Sequence, residues 1–500
     1  MSLASRLFNP RQRSKLAPTT MRDPAQYPAW ERPIQEQYLQ TLLTNTFGNT
    51  FYVDQRDLLK EAGEVHDKML VEDPTFAAKA IGYARNKGFM RTQSVFGLAK
   101  LFYTDKGLFE QTFDQAIRTP NDLRDFMTIM RSLGWKGGGR CIKRVAGNWL
   151  AKKLGEYWAI KYGSAAKPGE WTIKDMMIYL HPKGMNPPLA EYLMGRSPEL
   201  ADLPQIAAFE RLKRATTAKE KIAAITEGRL PHEVATTFAG NDKEVWEAIA
   251  PQMPIFALLR NLATLERHGV LDANRAMISK KFADPEVIGR SKILPFRFLD
   301  AIDHVRSPWA RDALRDGLDL SFANLPEIPG RSIVCLDVSG SMSGRYLLIG
   351  GIFAISLMKK TDYNGRFFLF NHMLAEASVS MRDSILTQAQ SIRASGSTRT
   401  DLIARWMLQE KEEADNLILI TDEQQNRGGP FINALDEYRR RVKRDINVFI
   451  VDISLYRRAL LPPEDPAYFI YGWSPQVLNF VSMASRGWGT MVEAITEGKV

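Results

Sequence analysis

The sequence predicts a protein of two structural parts, an all-α helical-repeat part followed by an α/β part with a doubly wound, mostly parallel sheet. A chain of 500 residues is too long for one ordinary hydrophobic core. From about residue 35 to 305, apolar residues recur at three- and four-residue spacing, which is the period of helices with one buried face. After about residue 325, short apolar runs alternate with helical stretches.

Composition excludes several classes of protein. With 45% hydrophobic and 25% charged residues, the chain is typical of a globular protein. The only cysteines, Cys141 and Cys335, lie in no Cys/His cluster, which argues against a disulfide framework or a structural zinc site. There is neither a signal-peptide core nor an apolar run of membrane-spanning length. We therefore expect a cytoplasmic protein without a membrane partner, with residues 1–25 as a basic, flexible arm.

The helical part is predicted to cover residues 26–325. Segments such as PTFAAKAIGYARNKG, NDLRDFMTIMRSLG and PIFALLRNLATLERHG each carry one apolar stripe and end at glycine. Stacking such one-sided helices in pairs, as in HEAT-like repeats, buries all the stripes in one continuous core.

The α/β part is predicted to cover residues 326–500, after the proline-containing break SFANLPEIPG. Its strands are SIVCLDVS, RFFLFN, NLILITD, NVFIVDIS and AYFIYGW, and helices such as YLLIGGIFAISLMKK, DLIARWMLQEKEE and FINALDEYRRRVKR alternate with them. Strands that are apolar on both faces are typical of a sheet covered by helices on each side.

Small oxygen-bearing side chains follow two of these strands and occupy one loop. They are Asp337, Ser339 and Ser341 in CLDVSGSMSG, Thr398 and Thr400 in GSTRTD, and Asp422 in LILITDEQ. Ligands of such sheets bind beyond the carboxyl ends of the strands, where these side chains would meet. Oxygen ligands without His or Cys suit Mg²⁺ or a similar hard cation.

The same three segments resemble the metal-ion-dependent adhesion site of von Willebrand factor A domains, over about residues 330–495. The resemblance implies a divalent cation, with Mg²⁺ as the expected ion, and a set of ligands or supporting groups made of Asp337, Ser339, Ser341, Thr398 and Asp422. A shift of the threonine ligand to Thr400 stays open, as does a polar cluster that holds no metal.

Catalysis is the weaker interpretation of this cluster. A nucleophile elbow G-x-S-x-G anchored on Gly340 and Gly344 would place Met342 at the nucleophile position. The chain also lacks the phosphate-binding loop G-x-x-x-x-G-K-[ST]. We therefore expect a binding protein and not an enzyme.

Basic charge is concentrated in the helical part. Residues 331–500 hold 20 Lys/Arg and 19 Asp/Glu, whereas residues 131–200 hold 12 and 5. In WKGGGRCIKRVAGNWLAKK, helical spacing places Arg140, Lys143 and Arg144 on one face, and Gly147 continues that face without bulk. A nucleic-acid backbone could approach such a face, although a solvated stripe is the alternative.

The segments SLGWKGGGRCIKRVAGNW, GEWTIKDMMIYLHPKG and NTFGNTFYVDQRDLL resemble the TROVE module of the Ro autoantigen family, in a bacterial or phage-type form. Ro proteins join this helical-repeat module to a von Willebrand A domain. The resemblance implies a helical ring that binds small noncoding Y-like RNA outside and single-stranded 3′ ends of misfolded structured RNAs in its hole. The implied RNA-binding residues are Lys136, Arg140, Lys143, Arg144, His181 and Lys183.

The expected function is RNA quality control or processing by a monomeric protein within a ribonucleoprotein, with an exoribonuclease as a further partner. The alternative is a metal-dependent protein-interaction scaffold or co-chaperone that uses the A domain. A metal-dependent hydrolase ranks last.

Overall fold

The computed structural model describes residues 21–22, 28–44, 55–137, 139–163, 171–291, 293, 295–322, 325, 327–361, 365–453, 458–462, 465–471, 478, 480–482, 485 and 491–498. Of the predicted basic arm, only Met21–Arg22 lies within these ranges, and residues 45–54 of the NTFGNTFYVDQRDLL segment lie outside them. No helix in the described ranges is both long enough and apolar enough to cross a bilayer.

The described helices are, in chain order, α1 Ile34–Thr44, α2 Gln55–Glu72, α3 Pro74–Asn86, α4 Thr92–Thr104, α5 Lys106–Ala116, α6 Pro120–Ser132, α7 Arg140–Lys153, α8 Glu156–Gly163, α9 Ile173–Leu180, α10 Pro187–Leu193, α11 Pro204–Arg214, α12 Ala218–Gly228, α13 His232–Ala239, α14 Lys243–Ile249, α15 Ile255–Arg267, α16 Arg275–Phe282, α17 Pro285–Ser291, α18 Pro295–His304, α19 Pro308–Ser321, α20 Arg345–Met358, α21 Ile385–Ser391, α22 Asp401–Gln409, α23 Phe431–Arg441 and α24 Met491–Thr496.

The described strands are β1 Met21–Arg22, β2 Pro28–Glu31, β3 Ser332–Asp337, β4 Arg366–Phe370, β5 Leu374–Ala377, β6 Asn416–Thr421, β7 Asn447–Asp452, β8 Arg458–Ala459 and β9 Tyr468–Tyr471. The predicted fold class is confirmed, since helices come first and a helix-covered α/β sheet follows.

The chain divides into two compact units. The helical unit comprises Ser94–Ile293 and Arg297–Leu320, and the sheet unit comprises Met1–Gln93, Leu294–Phe296 and Ser321–Val500. Helices α1 to α3, which the sequence analysis assigned to the helical module, are in the sheet unit. The domain limits at residues 26 and 325 stay predictions.

Helix starts in the helical unit are fixed by local sequence. Thr119 caps α6 by accepting from the amide of Asp122 at 3.2 Å, and the Asp122 carboxylate accepts from the Thr119 amide at 2.9 Å. Reciprocal capping of this kind satisfies backbone donors that a helix end leaves open. Thr172 and Asp175 cap α9 in the same way.

The main sheet has the strand order β5-β4-β3-β6-β7-β9. Strand β3 lies in its middle, parallel to both neighbours, with Leu336 opposite Ile420 of β6. All six residues of β3 and of β6 are buried, as expected for a sheet covered on both faces. Strand β5, which the sequence analysis did not predict, pairs antiparallel to β4 at the edge. Its four residues, LAEA, are exposed or only partly buried and include the charged Glu376, so no continuous apolar run marked this strand.

Helix α20 packs closely on this sheet. A Cβ at Gly350 would lie 2.9 Å from Cδ1 of Leu336, so a side chain there would collide with β3. The glycine therefore lets the helix after CLDVSGSMSG lie close to the strand before it. This packing fixes the loop between Asp337 and Arg345 at both ends.

A buried arginine joins the N-terminal strands to the main sheet within the sheet unit. Arg32, directly after β2, is 2% exposed and donates to Tyr471 Oη at 2.9 Å, to Asp452 Oδ2 at 3.0 Å and to Glu423. Gln40 of α1 donates to the same oxygen of Asp452 at 2.7 Å. The carboxylates are buried, so they depend on these donors for compensation of their charge.

Replacing Arg32 by methionine should lower the free energy of unfolding by about 3–5 kcal/mol, because the change leaves two buried carboxylates without their cation. Chemical denaturation followed by tryptophan fluorescence measures this. Adding Glu423→Gln and Asp452→Asn to Arg32→Met should restore part of the loss. A loss below about 1 kcal/mol for the single variant, the range of exposed ion pairs, would contradict this role for Arg32.

Candidate functional sites

The predicted oxygen cluster forms at the carboxyl edge of the main sheet. Asp337 ends β3, and Asp422 directly follows β6, the strand beside it. The amide of Gly340 donates to the carbonyl of Gly396 at 3.0 Å, which places the GSTRTD loop against the CLDVSGSMSG loop. Three segments separated in sequence thus meet at one place.

The five predicted ligands are all buried, with Ser341 the most exposed at 8%. Asp337 accepts from the amide of Ser339 at 2.9 Å and from the hydroxyl of Thr421 at 2.8 Å. The hydroxyl oxygens of Ser339 and Ser341 are 3.2 Å apart. Asp337 therefore accepts from a backbone amide and from a hydroxyl, neither of which carries a charge.

Burial and mutual repulsion disfavour two ionised carboxylates at this place. Burial raises the pKa of Asp337 to about 6. Burial, together with the negative charge of Asp337, raises the pKa of Asp422 well above its usual value. Asp422 Oδ2 is buried and has no hydrogen-bond partner among the described residues. An orphaned carboxylate oxygen beside a second carboxylate and two hydroxyls fits a hard divalent cation.

The two threonines of GSTRTD differ in what their hydroxyls do. The Thr400 hydroxyl donates to Gln425 Oε1 at 2.6 Å. The Thr398 hydroxyl has no hydrogen bond with a described residue, while its amide donates to Asn426 Oδ1 at 2.7 Å. Of the two hydroxyls, that of Thr398 is therefore the one without a partner among the described residues.

Asp401, next in the chain, is buried but takes no part in the cluster. Its carboxylate accepts from Arg405 Nε at 2.6 Å and from Arg399 at 3.2 and 3.3 Å. Its charge is therefore compensated by arginines. No group of three or more His, Cys, Asp or Glu in the described ranges is placed to hold a metal ion, so a cation here would depend on hydroxyl ligands.

Sequence reasoning missed the groups that hold the cluster in place. Thr421, Gln425 and Asn426 orient Asp337, Thr400 and Thr398 through the hydrogen bonds given above. Their position beside Asp422 in TDEQQN was the available signal. Their partners are 84, 25 and 28 residues away in sequence, so no local pattern could pair them.

The second predicted site lies on the helical unit. We define the basic patch as Lys136, Arg140, Lys143, Arg144, His181 and Lys183, all of which are exposed except the half-buried Lys143. The opposite face of α7 is buried as predicted, through Ile142, Val145, Ala146 and Trp149.

Close packing brings the two halves of the basic patch together. A Cβ at Gly147 would lie 3.2 Å from the carbonyl oxygen of Leu180 and 3.8 Å from Cα of Pro182. The end of α9 therefore lies directly on α7. His181, at the C-terminus of α9, has a left-handed backbone with φ of 48° and an exposed side chain.

This contact overturns the prediction for Gly147. The residue is buried beneath Leu180 instead of continuing the basic face, because the glycine serves the close approach of two helices. A phosphate backbone cannot reach it there.

Aromatic side chains underlie the patch. Lys143 Nζ lies 4.9 Å from the ring centroid of Tyr179, and Trp135 and Trp171 contact the same ring edge-on at 5.2 and 5.5 Å. Arg131 lies over Trp171 at 4.6 Å. Sequence reasoning missed these aromatic residues and Arg131, although their positions beside the basic segments were a usable signal.

Arg144 has an acidic partner that the local sequence did not reveal. Both of its terminal nitrogens donate to the carboxylate of Glu110 on α5, and the two side chains are 54% and 43% exposed. Water screens such an exposed pair, so a phosphate can replace the carboxylate at little cost.

Comparison with known proteins identifies similarity to a described domain family and to named relatives. A family model described as the TROVE domain matches residues 231–317. The chain is 27% identical over 415 residues to the RNA-binding protein RO60 of Deinococcus radiodurans, covering 75% of this chain and 76% of the relative. It is 32% identical over 178 residues to the RNA-binding protein RO60 of Caenorhabditis elegans, covering 33% of this chain and 28% of the relative.

A solved structure matches the fold. The crystal structure of Deinococcus radiodurans RO (RSR) protein aligns with a TM-score of 0.68 at 21% sequence identity, covering 91% of this chain and 100% of that chain. The predicted resemblance is confirmed: a TROVE domain model matches part of the chain, the similar relatives are named RNA-binding protein RO60, and the fold matches the Deinococcus radiodurans RO structure.

Proposed function

We propose that this protein binds RNA through the basic patch of its helical unit. The observation that carries the proposal is that five Lys/Arg side chains and His181 meet on one surface over an aromatic cluster. Two relatives of the chain are named RNA-binding protein RO60, which supports the same partner.

Phosphate contacts supply most of the affinity in this proposal. Lys136, Arg140 and Lys183 are exposed and have no ion pair with a described residue, so their charges are available to phosphates. Each phosphate neutralised releases counterions, which makes binding sensitive to salt. The rings of Trp135 and Tyr179 could add stacking with unpaired bases.

We further propose which classes of RNA the protein binds. A small noncoding Y-like RNA would occupy the basic patch, and misfolded structured RNAs with a single-stranded 3′ end would be a second class of ligand. The protein would act in the cytoplasm as a binding component of a ribonucleoprotein for RNA quality control, with an exoribonuclease performing the cleavage. It would itself be no enzyme.

For the oxygen cluster we propose a Mg²⁺ site. Asp337, Ser339, Ser341, Thr398 and Asp422 would hold the ion directly or through water. Bound Mg²⁺ would compensate the two carboxylates and offer an open coordination position to an oxygen of a partner. The orphaned Asp422 Oδ2 supports this assignment.

A second function is favoured by the surroundings of that cluster. Met373 is 63% exposed, two residues from Asn371, which donates to the carbonyl of Ser395 at 2.8 Å beside the GSTRTD loop. An exposed apolar side chain near the proposed Mg²⁺ would suit recruitment of a protein partner that offers a carboxylate to the ion. The protein would then be a metal-dependent scaffold or co-chaperone.

Reversing two charges of the patch tests RNA binding. Arg140→Glu with Lys143→Glu should weaken binding of a structured RNA about tenfold or more near 0.1 M salt and should flatten the salt dependence, because two phosphate contacts are lost. Filter binding across a salt series measures both. Arg290→Glu, on exposed helix α17, is the control for a single charge reversal outside the basic patch. Unchanged affinity and salt dependence in the double variant would refute the basic patch as the RNA site.

Thermal unfolding with and without Mg²⁺ tests the metal site. Saturating Mg²⁺ should raise the Tm of the sheet unit by about 5 °C or more, as expected for a ligand at roughly a hundred times its Kd. In Asp422→Asn this increase should vanish, while the metal-free Tm stays equal or rises because the carboxylate repulsion is gone. Asp401→Asn, which changes a buried but arginine-paired carboxylate, should keep the Mg²⁺ effect. A Mg²⁺ effect that survives in Asp422→Asn would contradict the assignment.

A further inference from the structure

The helical unit contains a cavity of about 500 Å³ that the basic patch does not include. Its walls come from α8, from the end of α12 through the start of α13, and from the residues just before α15. The lining side chains that matter here are Tyr157, Thr226, Arg229, Leu230, His232 and Gln252. The volume lies within the range of sites that hold small organic ligands.

The cavity combines one aromatic ring with several hydrogen-bonding groups. Tyr157 is half-buried and Leu230 is 5% exposed, so ring and aliphatic surface form an apolar wall. Thr226 and Gln252 are exposed, and Gln252 Nε2 lies 3.3 Å from Thr226 Oγ1. Because Gln252 Nε2 also donates to the carbonyl of Ala248 at 3.2 Å, the groups left for a planar heterocycle are Gln252 Oε1 as acceptor and the Thr226 hydroxyl as donor.

The charged side chains around the cavity leave one positive charge available to a ligand. Glu233, next to His232, already pairs with Lys161 at 2.7 Å and lies 3.1 Å from His232 Nδ1. Arg229 makes no ion pair with any described residue. Burial lowers the pKa of His232, which favours the neutral imidazole, a group that can donate and accept at once. The charge on offer to a ligand is therefore the guanidinium of Arg229.

Arg229 occupies a backbone position that disfavours arginine. It follows α12 with φ of 45° and ψ of 47°, a left-handed conformation that glycine or asparagine adopts more readily. Gly228, directly before it, serves packing, because a Cβ there would lie 2.5 Å from Cβ of Ala208. A strained, unpaired arginine at the rim of a cavity points to a ligand for its side chain.

The opposite wall is held in place by a lysine. Lys281 of α16 donates to the carbonyl oxygens of Pro251 at 2.8 Å and Met253 at 2.9 Å. These bonds fix the segment that carries Gln252 and Pro254 into the cavity. The cavity is thus built from fixed elements on both sides.

We propose that this cavity binds one unpaired nucleotide of RNA, with the base against Tyr157, its edge at Gln252 and Thr226, and a phosphate at Arg229. The proposal rests on RNA binding by the helical unit, as proposed above. It adds a second contact that distinguishes single-stranded from paired RNA, because a base within a duplex is stacked on both faces and cannot enter.

Other ligand classes fit less well. Lys161 Nζ lies 5.8 Å from the ring centroid of Tyr157. A peptide carboxylate would satisfy Arg229 but would make no stacking contact with that ring. A purely apolar ligand would leave the guanidinium, the amide and the imidazole unused. A nucleotide uses the ring, the polar groups and the charge together.

The test compares the full-length chain with three variants, using fluorescence anisotropy of a short single-stranded RNA and of the blunt duplex made from it. Arg229→Asn keeps a residue that tolerates the left-handed backbone, so folding is preserved while the charge is removed. It should weaken single-strand binding about tenfold, as expected for one charged hydrogen bond, and leave duplex binding within about twofold. Arg290→Asn is the matched control and should change neither.

Two variants of Tyr157 test base stacking separately from the charge of Arg229. Tyr157→Leu should weaken single-strand binding about fivefold or more, whereas Tyr157→Phe, which keeps the ring, should bind as the parent chain does. The proposal is overturned if Arg229→Asn and Tyr157→Leu bind the single strand normally, or if they weaken single strand and duplex equally.

Free nucleoside monophosphates form the last arm of the experiment. If they bind the cavity in an Arg229-dependent way while RNA binding ignores both variants, the ligand is a free nucleotide and the RNA assignment fails. If the parent chain binds no RNA at all, this proposal and the proposed function fail together. If the Arg140→Glu, Lys143→Glu variant loses RNA binding and the cavity variants do not, only the cavity proposal is rejected.

Discussion

Burial of like charge at the edge of the main sheet is the constraint that shapes the sheet unit. Parallel pairing of β3 and β6 carries Asp337 and Asp422 to the same edge, where both are at most 2% exposed. Close packing of α20 at Gly350 and the bond between Gly340 and Gly396 close the loops around them. The surrounding hydroxyls and amides reduce the repulsion but do not neutralise it, and this uncompensated charge is the basis of the proposed Mg²⁺ site.

The helical unit uses charge differently. Its basic side chains stay exposed, and their order comes from aromatic rings beneath them and from the contact of α7 with α9 at Gly147. Exposed basic side chains above fixed aromatic rings are suited to bind RNA, because the basic groups contact phosphates and the rings stack with bases. Within the sheet unit, the Arg32 network does the opposite and removes charge from solvent altogether. The chemistry of the two units therefore supports two separate proposals, RNA binding for the helical unit and a Mg²⁺ site for the sheet unit.

Local pattern in the sequence was enough to predict the strands that end in Asp337 and Asp422, the buried face of α7 and the order of helices before sheet. The local pattern did not predict contacts between residues that are far apart in the sequence. Glu110 reaches Arg144 across 34 residues, and Arg32 reaches Asp452 across 420, so neither pairing leaves a local signal. Gly147 was misassigned because a glycine on a polar face has the same pattern whether it faces solvent or another helix. The hydrogen bond from Thr400 to Gln425 spans 25 residues and was likewise absent from the local pattern.

The most direct test of RNA binding is the composition of the material that purifies with the full-length chain from cells. The account predicts a nuclease-sensitive peak that contains a discrete set of small structured RNAs, identified by sequencing, and the loss of that peak in the Arg140→Glu, Lys143→Glu variant. An RNA-free protein, or a protein complex that survives nuclease and dissociates on removal of divalent cations, would contradict the central claim and would favour the metal-dependent scaffold.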